Sequence, residues 1–72
     1  MAKLPIANNI RRLRFEHGEM TQAELAEKIG MTRQTVAAIE KAKYSPSLEA
    51  AFRIAQVFRV GVEEVFQWTE GE

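Results

Sequence analysis

The stretch TQAELAEKIGMTRQTVAAIE, residues 21–40, decides the fold. It reads as two short helices joined by almost nothing. Thr21 and Glu24 form a capping-box pattern, in which each side chain satisfies a free N–H at a helix start. Leu25, Ala26 and Ile29 make an inner face, and Gly30 ends the helix by accepting positive φ without strain. Thr32 then caps a third helix, with Val36 and Ile39 inward and its end near Lys41. Helices of eight or nine residues are marginal alone in water, so the pair must pack on something else.

Spacing says what the pair is. Counted from Gln22 as position one, Leu25, Ala26, Ile29, Gly30 and Met31 stand at positions four, five, eight, nine and ten, and Val36 and Ile39 at fifteen and eighteen. A helix-turn-helix needs this pattern. A small residue at Ala26 lets the two helices cross closely, Gly30 makes the sharp turn, and the other apolar positions bind the pair to a core. The third helix then holds its outer face free for a DNA major groove. An ordinary helical hairpin is the alternative.

The rest of the chain also reads as helix, with no sustained apolar alternation. Ile6, Ile10 and Leu13 fall at i, i+4, i+7 on a first helix ending before Gly18, with Phe15 off that stripe and covering the following loop. Residues 42–46, AKYSP, form a loop, since Pro46 forbids helix continuation. Ser47 caps a fourth helix with an apolar face of Leu48, Ala51, Phe52, Ala55 and Phe58. Gly61 breaks the chain, and Val62 to Phe66 reads as a short fifth helix with Glu63 and Glu64 where the dipole favours them. The expected fold is all-α: five helices around one core, with the helix-turn-helix core at 21–41 in a single domain of residues 1–72.

Composition narrows the function. With no cysteine, disulfides and thiolate metal sites are excluded, and a single histidine, His17, does not make a metal cluster or a catalytic triad. There is no phosphate loop, and the carboxylates stand mainly at capping and surface positions, so neither an enzyme nor a cofactor is expected. No apolar run approaches 18 residues, and MAKLPIANNI lacks a signal-peptide core, so a cytoplasmic protein is expected. Net charge is zero, yet residues 1–47 carry eight basic and five acidic groups (+3) and residues 48–72 two basic and five acidic (−3). A bipolar molecule can turn one face to a polyanion.

Three segments, IRRLRFEHGEMTQAELAEKIGMTRQTVAAIE, KYSPSLEAAFRIAQVF and EEVFQW, carry a resemblance to the Cro/phage-repressor type of helix-turn-helix regulators, the XRE family. They cover nearly the whole chain, which is similar to the small stand-alone prokaryotic members. The resemblance implies a five-helix lambda-repressor-like domain that binds double-stranded operator DNA as a homodimer. It implies base contacts from Arg33, Gln34, Thr35 and Ala38. Arg33 suits guanine O6 and N7, Gln34 suits adenine N6 and N7, and Ala38 suits a thymine methyl. Phosphate contacts are expected from Gln22, helped by Thr21, and from Lys41, Lys43 and Tyr44 beside Ser45. Tyr44 packing on the core is the equal alternative. Arg14 matches the family arginine that pairs with the glutamate here at Glu40, a structural salt bridge. Arg11 and Arg12 are solvated or reach a flanking phosphate, and His17 is a surface residue at a helix C-terminus.

Relatives with a similar tail pair through the last helix and a brief strand. A dimerisation segment at about 60–69 is therefore expected, with Val65, Phe66 and Trp68 in it and a short C-terminal strand allowed at the interface. Trp68 folding back onto its own domain is the alternative. Two departures stand out. Many relatives have glycine where this chain has Ala42 and Arg59, and positive φ retained there costs strain of about 1 kcal/mol each. Gly61 stands where relatives often have proline. With no sensing domain in the 72 residues, regulation is expected from concentration, operator arrangement or a separate protein partner. The expected function is a sequence-specific transcription regulator, a repressor. The competing one is an antitoxin-like module whose main partner is a protein.

Overall fold

The computed structural model describes residues 4–69. Lys3, Glu70 and Glu72, which enter the charge balance, and the end of the QWTEGE tail lie outside them. In chain order the described residues form β1 (Ile6–Asn8), α1 (Ile10–Glu16), α2 (Gln22–Ile29), α3 (Arg33–Glu40), α4 (Leu48–Phe58), α5 (Val62–Val65) and β2 (Phe66–Trp68).

The helix boundaries follow the capping chemistry. The Thr21 hydroxyl accepts from the Glu24 N–H at 3.0 Å, and the Glu24 carboxylate accepts from the Thr21 N–H at 2.8 Å. Thr32 accepts from the Thr35 N–H and Ser47 from the Ala50 N–H, each at 3.1 Å. Helices α2, α3 and α4 end alike, each on a left-handed residue: Gly30 (φ 75°), Ala42 (φ 60°) and Arg59 (φ 58°). In each case the next N–H folds back to a carbonyl five residues earlier: Met31 to Ala26, Lys43 to Ala38, Val60 to Ala55. This is the Schellman closure, which satisfies carbonyls the helix leaves free. Ala42 and Arg59 thus keep the glycine conformation without being glycine.

The core is drawn from all five helices. Ile10 and Leu13, Leu25 and Ile29, Val36 and Ile39, Ile54 and Phe58, and Val65 are buried together. Ala26 is buried where α2 meets α3.

Several expectations need correction. Ile6 is in β1, outside the first helix. Pro5 and the Asn8–Asn9 pair precede α1, and Asn8 Oδ1 accepts from the Ile10 N–H at 3.2 Å, which starts the helix there. The fold is therefore mostly helical with a small sheet, rather than all-α. β1 pairs antiparallel with β2 in the register Ile6 to Trp68, Ala7 to Gln67 and Asn8 to Phe66, so the C-terminal strand pairs within its own chain. The fifth helix ends at Val65. On α4 the buried face is Ala50, Ala51, Ile54, Ala55 and Phe58, whereas Leu48 is 72% and Phe52 57% exposed. Phe15 is 67% exposed. Val65 is wholly buried in its own core, so its side chain has no surface to offer a second copy.

Candidate nucleic-acid interface

Helix α3 has eight residues, about 12 Å at 1.5 Å each, a length that lies across a B-DNA major groove. Its inner residues, Val36 and Ile39, are buried. Of the residues expected at bases, Arg33 and Gln34 at the first turn are exposed, and Thr35 and Ala38 are half-buried. The Thr35 hydroxyl is held at 2.9 Å by the Thr32 hydroxyl, so this side chain is less free than the sequence suggests. Lys41, Lys43 and Tyr44 follow the helix and are exposed. The Tyr44 ring borders a crevice with Leu4, Ile6 and Phe66.

Gln22 opens α2 beside α3 and is not a free side chain. Its Nε2 donates to Glu40 Oε1 at 3.1 Å, and its Oε1 accepts from the Arg33 guanidinium at 3.3 Å. Only this amide orientation works: reversed, oxygen would face carboxylate oxygen and N–H would face guanidinium N–H. One Nε2 proton remains for a phosphate. The Thr21 hydroxyl accepts in the capping box, which leaves its own O–H to donate.

Behind this surface lies an ion pair. Arg14 Nε donates to Glu40 Oε2 at 2.7 Å, a second guanidinium nitrogen donates to Glu40 Oε1 at 3.2 Å, and the third donates to the Met20 carbonyl at 2.7 Å. The side chains are only 14% and 10% exposed. The pair ties α1 to the end of α3 and neutralises the one acidic residue of that helix. Arg12 pairs with Glu16 and Arg53 with Glu49, both at the surface, whereas Arg11, Arg33, Lys41 and Lys43 join no ion pair among the described residues. Lys28 on α2 and Arg59 after α4 join none either. But Arg33, Lys41 and Lys43 stand on or just after α3, and Arg11 shares a groove with Lys41, Gln22 and Ala37, so much of the uncompensated positive charge lies beside α3.

His17 stands exposed at the C-terminus of α1, its Nδ1 2.9 Å from the Leu13 carbonyl and its ring edge-on to Phe58 at 5.1 Å. The described residues contain no cluster of metal-ligating side chains and no helix long and apolar enough to cross a membrane.

Sequence reasoning missed Asn8. Its Nδ2 donates to the Ile39 carbonyl at 3.0 Å and approaches the Glu40 carbonyl at 3.4 Å, at the end of α3. Two asparagines before an apolar-periodic run are a helix-start signal, and that signal was available.

A helix-turn-helix family profile, HTH_3, matches residues 10–65. The chain is 46% identical over 65 residues to an uncharacterised HTH-type transcriptional regulator of Methanocaldococcus jannaschii, covering 90% of this chain and 97% of the relative. It is 48% identical over 65 residues to another from Bacillus subtilis, covering 90% and 96%. A third, from Methanothermobacter thermautotrophicus, is 53% identical over 58 residues, covering 79% and 83%. A crystal structure of a Bacteroides fragilis protein shares the fold with a TM-score of 0.73 at 22% identity, covering 86% of this chain and 98% of that one. With the profile matched over most of its length and such relatives along nearly all of it, the chain belongs to the HTH_3 (XRE-type) helix-turn-helix family of small, non-enzymatic transcriptional regulators.

Proposed function

We propose that the protein is a repressor that binds an inverted-repeat operator as a homodimer, one α3 in each of two successive major grooves. The observation that carries this reading is the outer face of α3. It is capped at its start by Thr32, braced at its end by Arg14–Glu40, and exposes Arg33 and Gln34 side by side. Arg33 reads a guanine and Gln34 an adjacent adenine, with the Thr35 methyl and Ala38 in apolar contact with the groove. Thr21, Gln22, Lys41, Lys43 and Tyr44 hold the phosphates on either side. A dimer occupying a promoter blocks it.

The dimer forms through the C-terminal segment. Trp68 is 67% exposed, an apolar surface that a second copy would cover, and β2 has no other strand beside it among the described residues. Half-buried Phe66 stands two residues earlier on the same strand and packs against the core. A two-fold pair through this segment spaces two copies of α3 about 34 Å apart, one turn of DNA. Sedimentation of wild type and Trp68→Ala, alone and with an inverted-repeat duplex, tests this. Wild type is expected to place two chains on each duplex, and Trp68→Ala to sediment as a monomer. A variant that still dimerises like wild type would remove Trp68 from the interface.

A further inference from the structure

Asn8 joins three elements with one amide. It lies on β1 opposite Phe66 of β2. Its Oδ1 accepts from the Ile10 N–H that opens α1, at 3.2 Å. Its Nδ2 donates to the Ile39 carbonyl at 3.0 Å and leans towards that of Glu40, two of the carbonyls that close α3. The orientation is forced, because a reversed amide would set N–H against N–H and oxygen against oxygen. A backbone bond from the Leu4 N–H to the Ala42 carbonyl, 3.2 Å, ties the same strand to the residue after α3. The strand is in turn held to β2 by its ladder, flanked by Asn9 N–H to the Val65 carbonyl at 2.9 Å and Thr69 N–H to the Pro5 carbonyl at 3.0 Å. Asn9, one residue on, points elsewhere, its Nδ2 donating to the Glu64 carbonyl at 3.0 Å.

We infer that Asn8 is a positioning residue for DNA reading: it locks the C-terminal end of α3 to the strand pair, so that the element carrying Trp68 and the recognition helix move as one body. This rests on the homodimer reading above. In a dimer joined through β2, the angle and spacing of the two recognition helices are set by whatever ties β2 to α3. The described residues supply that tie through β1, at Asn8 and at Leu4–Ala42. Loosening Asn8 leaves the Trp68 surface intact but frees each α3 to shift against its partner.

Asn8→Asp separates the two halves of the amide's work. A carboxylate still accepts from the Ile10 N–H, and its charge suits the start of α1, but it has no proton for the α3 carbonyls and sets a charged oxygen against the C-terminal end of α3. A duplex is first selected from a randomised library by wild type, then variants are made with one base pair added to or removed from its centre. Fluorescence anisotropy gives affinities for all three, with sedimentation for self-association and circular dichroism for folding. Asn8→Asp is expected to fold with a lowered unfolding midpoint and, at a temperature where it is folded, to self-associate as wild type does. It should bind the selected duplex roughly three- to tenfold more weakly, the size of one lost hydrogen bond, since the Ile39 carbonyl keeps its bond from the Ala42 N–H. Its preference for the native spacing should also shrink, which a stabilising role alone would not alter. Wild-type affinity with unchanged spacing preference overturns the inference while leaving the repressor reading intact. Wild type selecting no duplex overturns both.

A measurement on the unmodified protein covers the case in which the variant does not fold. The side-chain amide resonances of Asn8 are expected to shift when the selected duplex is added, and those of Asn9 to stay. Equal shifts, or none at Asn8, overturn the inference.

Discussion

Removing the Glu40 carboxylate should cost the domain a large part of its stability. The structure gives Glu40 three hydrogen bonds, two from Arg14 and one from Gln22, with the ion pair nearly enclosed. In Glu40→Ala the Arg14 guanidinium keeps only its bond to the Met20 carbonyl and stays largely out of water with no counter-charge. Breaking a buried pair from one side costs about 3–5 kcal/mol, and the residual exposure here lowers that to about 2–4 kcal/mol. A domain of this length has roughly 4–11 kcal/mol in total, so the loss lowers the midpoint by about 10–25 °C. The exposed Arg12–Glu16 pair is the internal comparison, since Arg12→Ala should cost less than about 0.5 kcal/mol. Urea and thermal unfolding followed by far-ultraviolet circular dichroism measure both. The double variant Arg14→Ala, Glu40→Ala should be less destabilised than the two single losses summed. A Glu40→Ala cost no larger than that of Arg12→Ala would refute the reasoning. It would mean that water screens the pair as it does one on the surface.

Two other outcomes follow from the backbone and the core. Ala42→Gly and Arg59→Gly should each raise stability by up to about 0.6 kcal/mol in the same unfolding assays, the left-handed strain removed less the entropy glycine adds to the unfolded chain. Destabilisation by either would mean that the left-handed closure is not where the strain lies. On α4, Ile54→Ala should cost about 2–5 kcal/mol and Leu48→Ala less than about 0.5, the reverse of what the sequence face implies.

What was legible in the sequence is what local chemistry writes. Thr21, Thr32 and Ser47 before their helices and Gly30 after α2 act within a few residues, and the structure uses each as expected. The N-terminal strand was not legible, and the C-terminal one entered only through the resemblance, with a second copy rather than β1 as its setting. Three-residue segments carry no alternation, and Ile6 happened to continue the period of α1. Only pairing with Phe66–Trp68, some 60 residues away, makes Ile6–Asn8 a strand. The α4 face was misread because two stripes overlap there. Ala51, Ala55 and Phe58 are buried as the sequence implies, but Ala50 and Ile54 complete the buried face in place of the larger Leu48 and Phe52. At the site, the outward residues of α3 followed from periodicity. The engagement of Gln22 with Arg33 and of Asn8 with Ile39 depends on elements brought together by the fold, which no local pattern records.

The central claim is that the first turn of α3 reads bases. Fluorescence anisotropy of wild type and of an Arg33→Ala, Gln34→Ala double variant, against DNA from the chain's own upstream region and against random DNA at several salt concentrations, tests it most directly. Wild type should prefer the upstream region and weaken steeply with salt, with a log–log slope of about −0.9 per neutralised phosphate. The double variant should lose that preference, by about 1–3 kcal/mol for each good contact removed, while keeping the salt slope carried by the lysines. A double variant that discriminates between the two DNAs as well as wild type does would contradict the account.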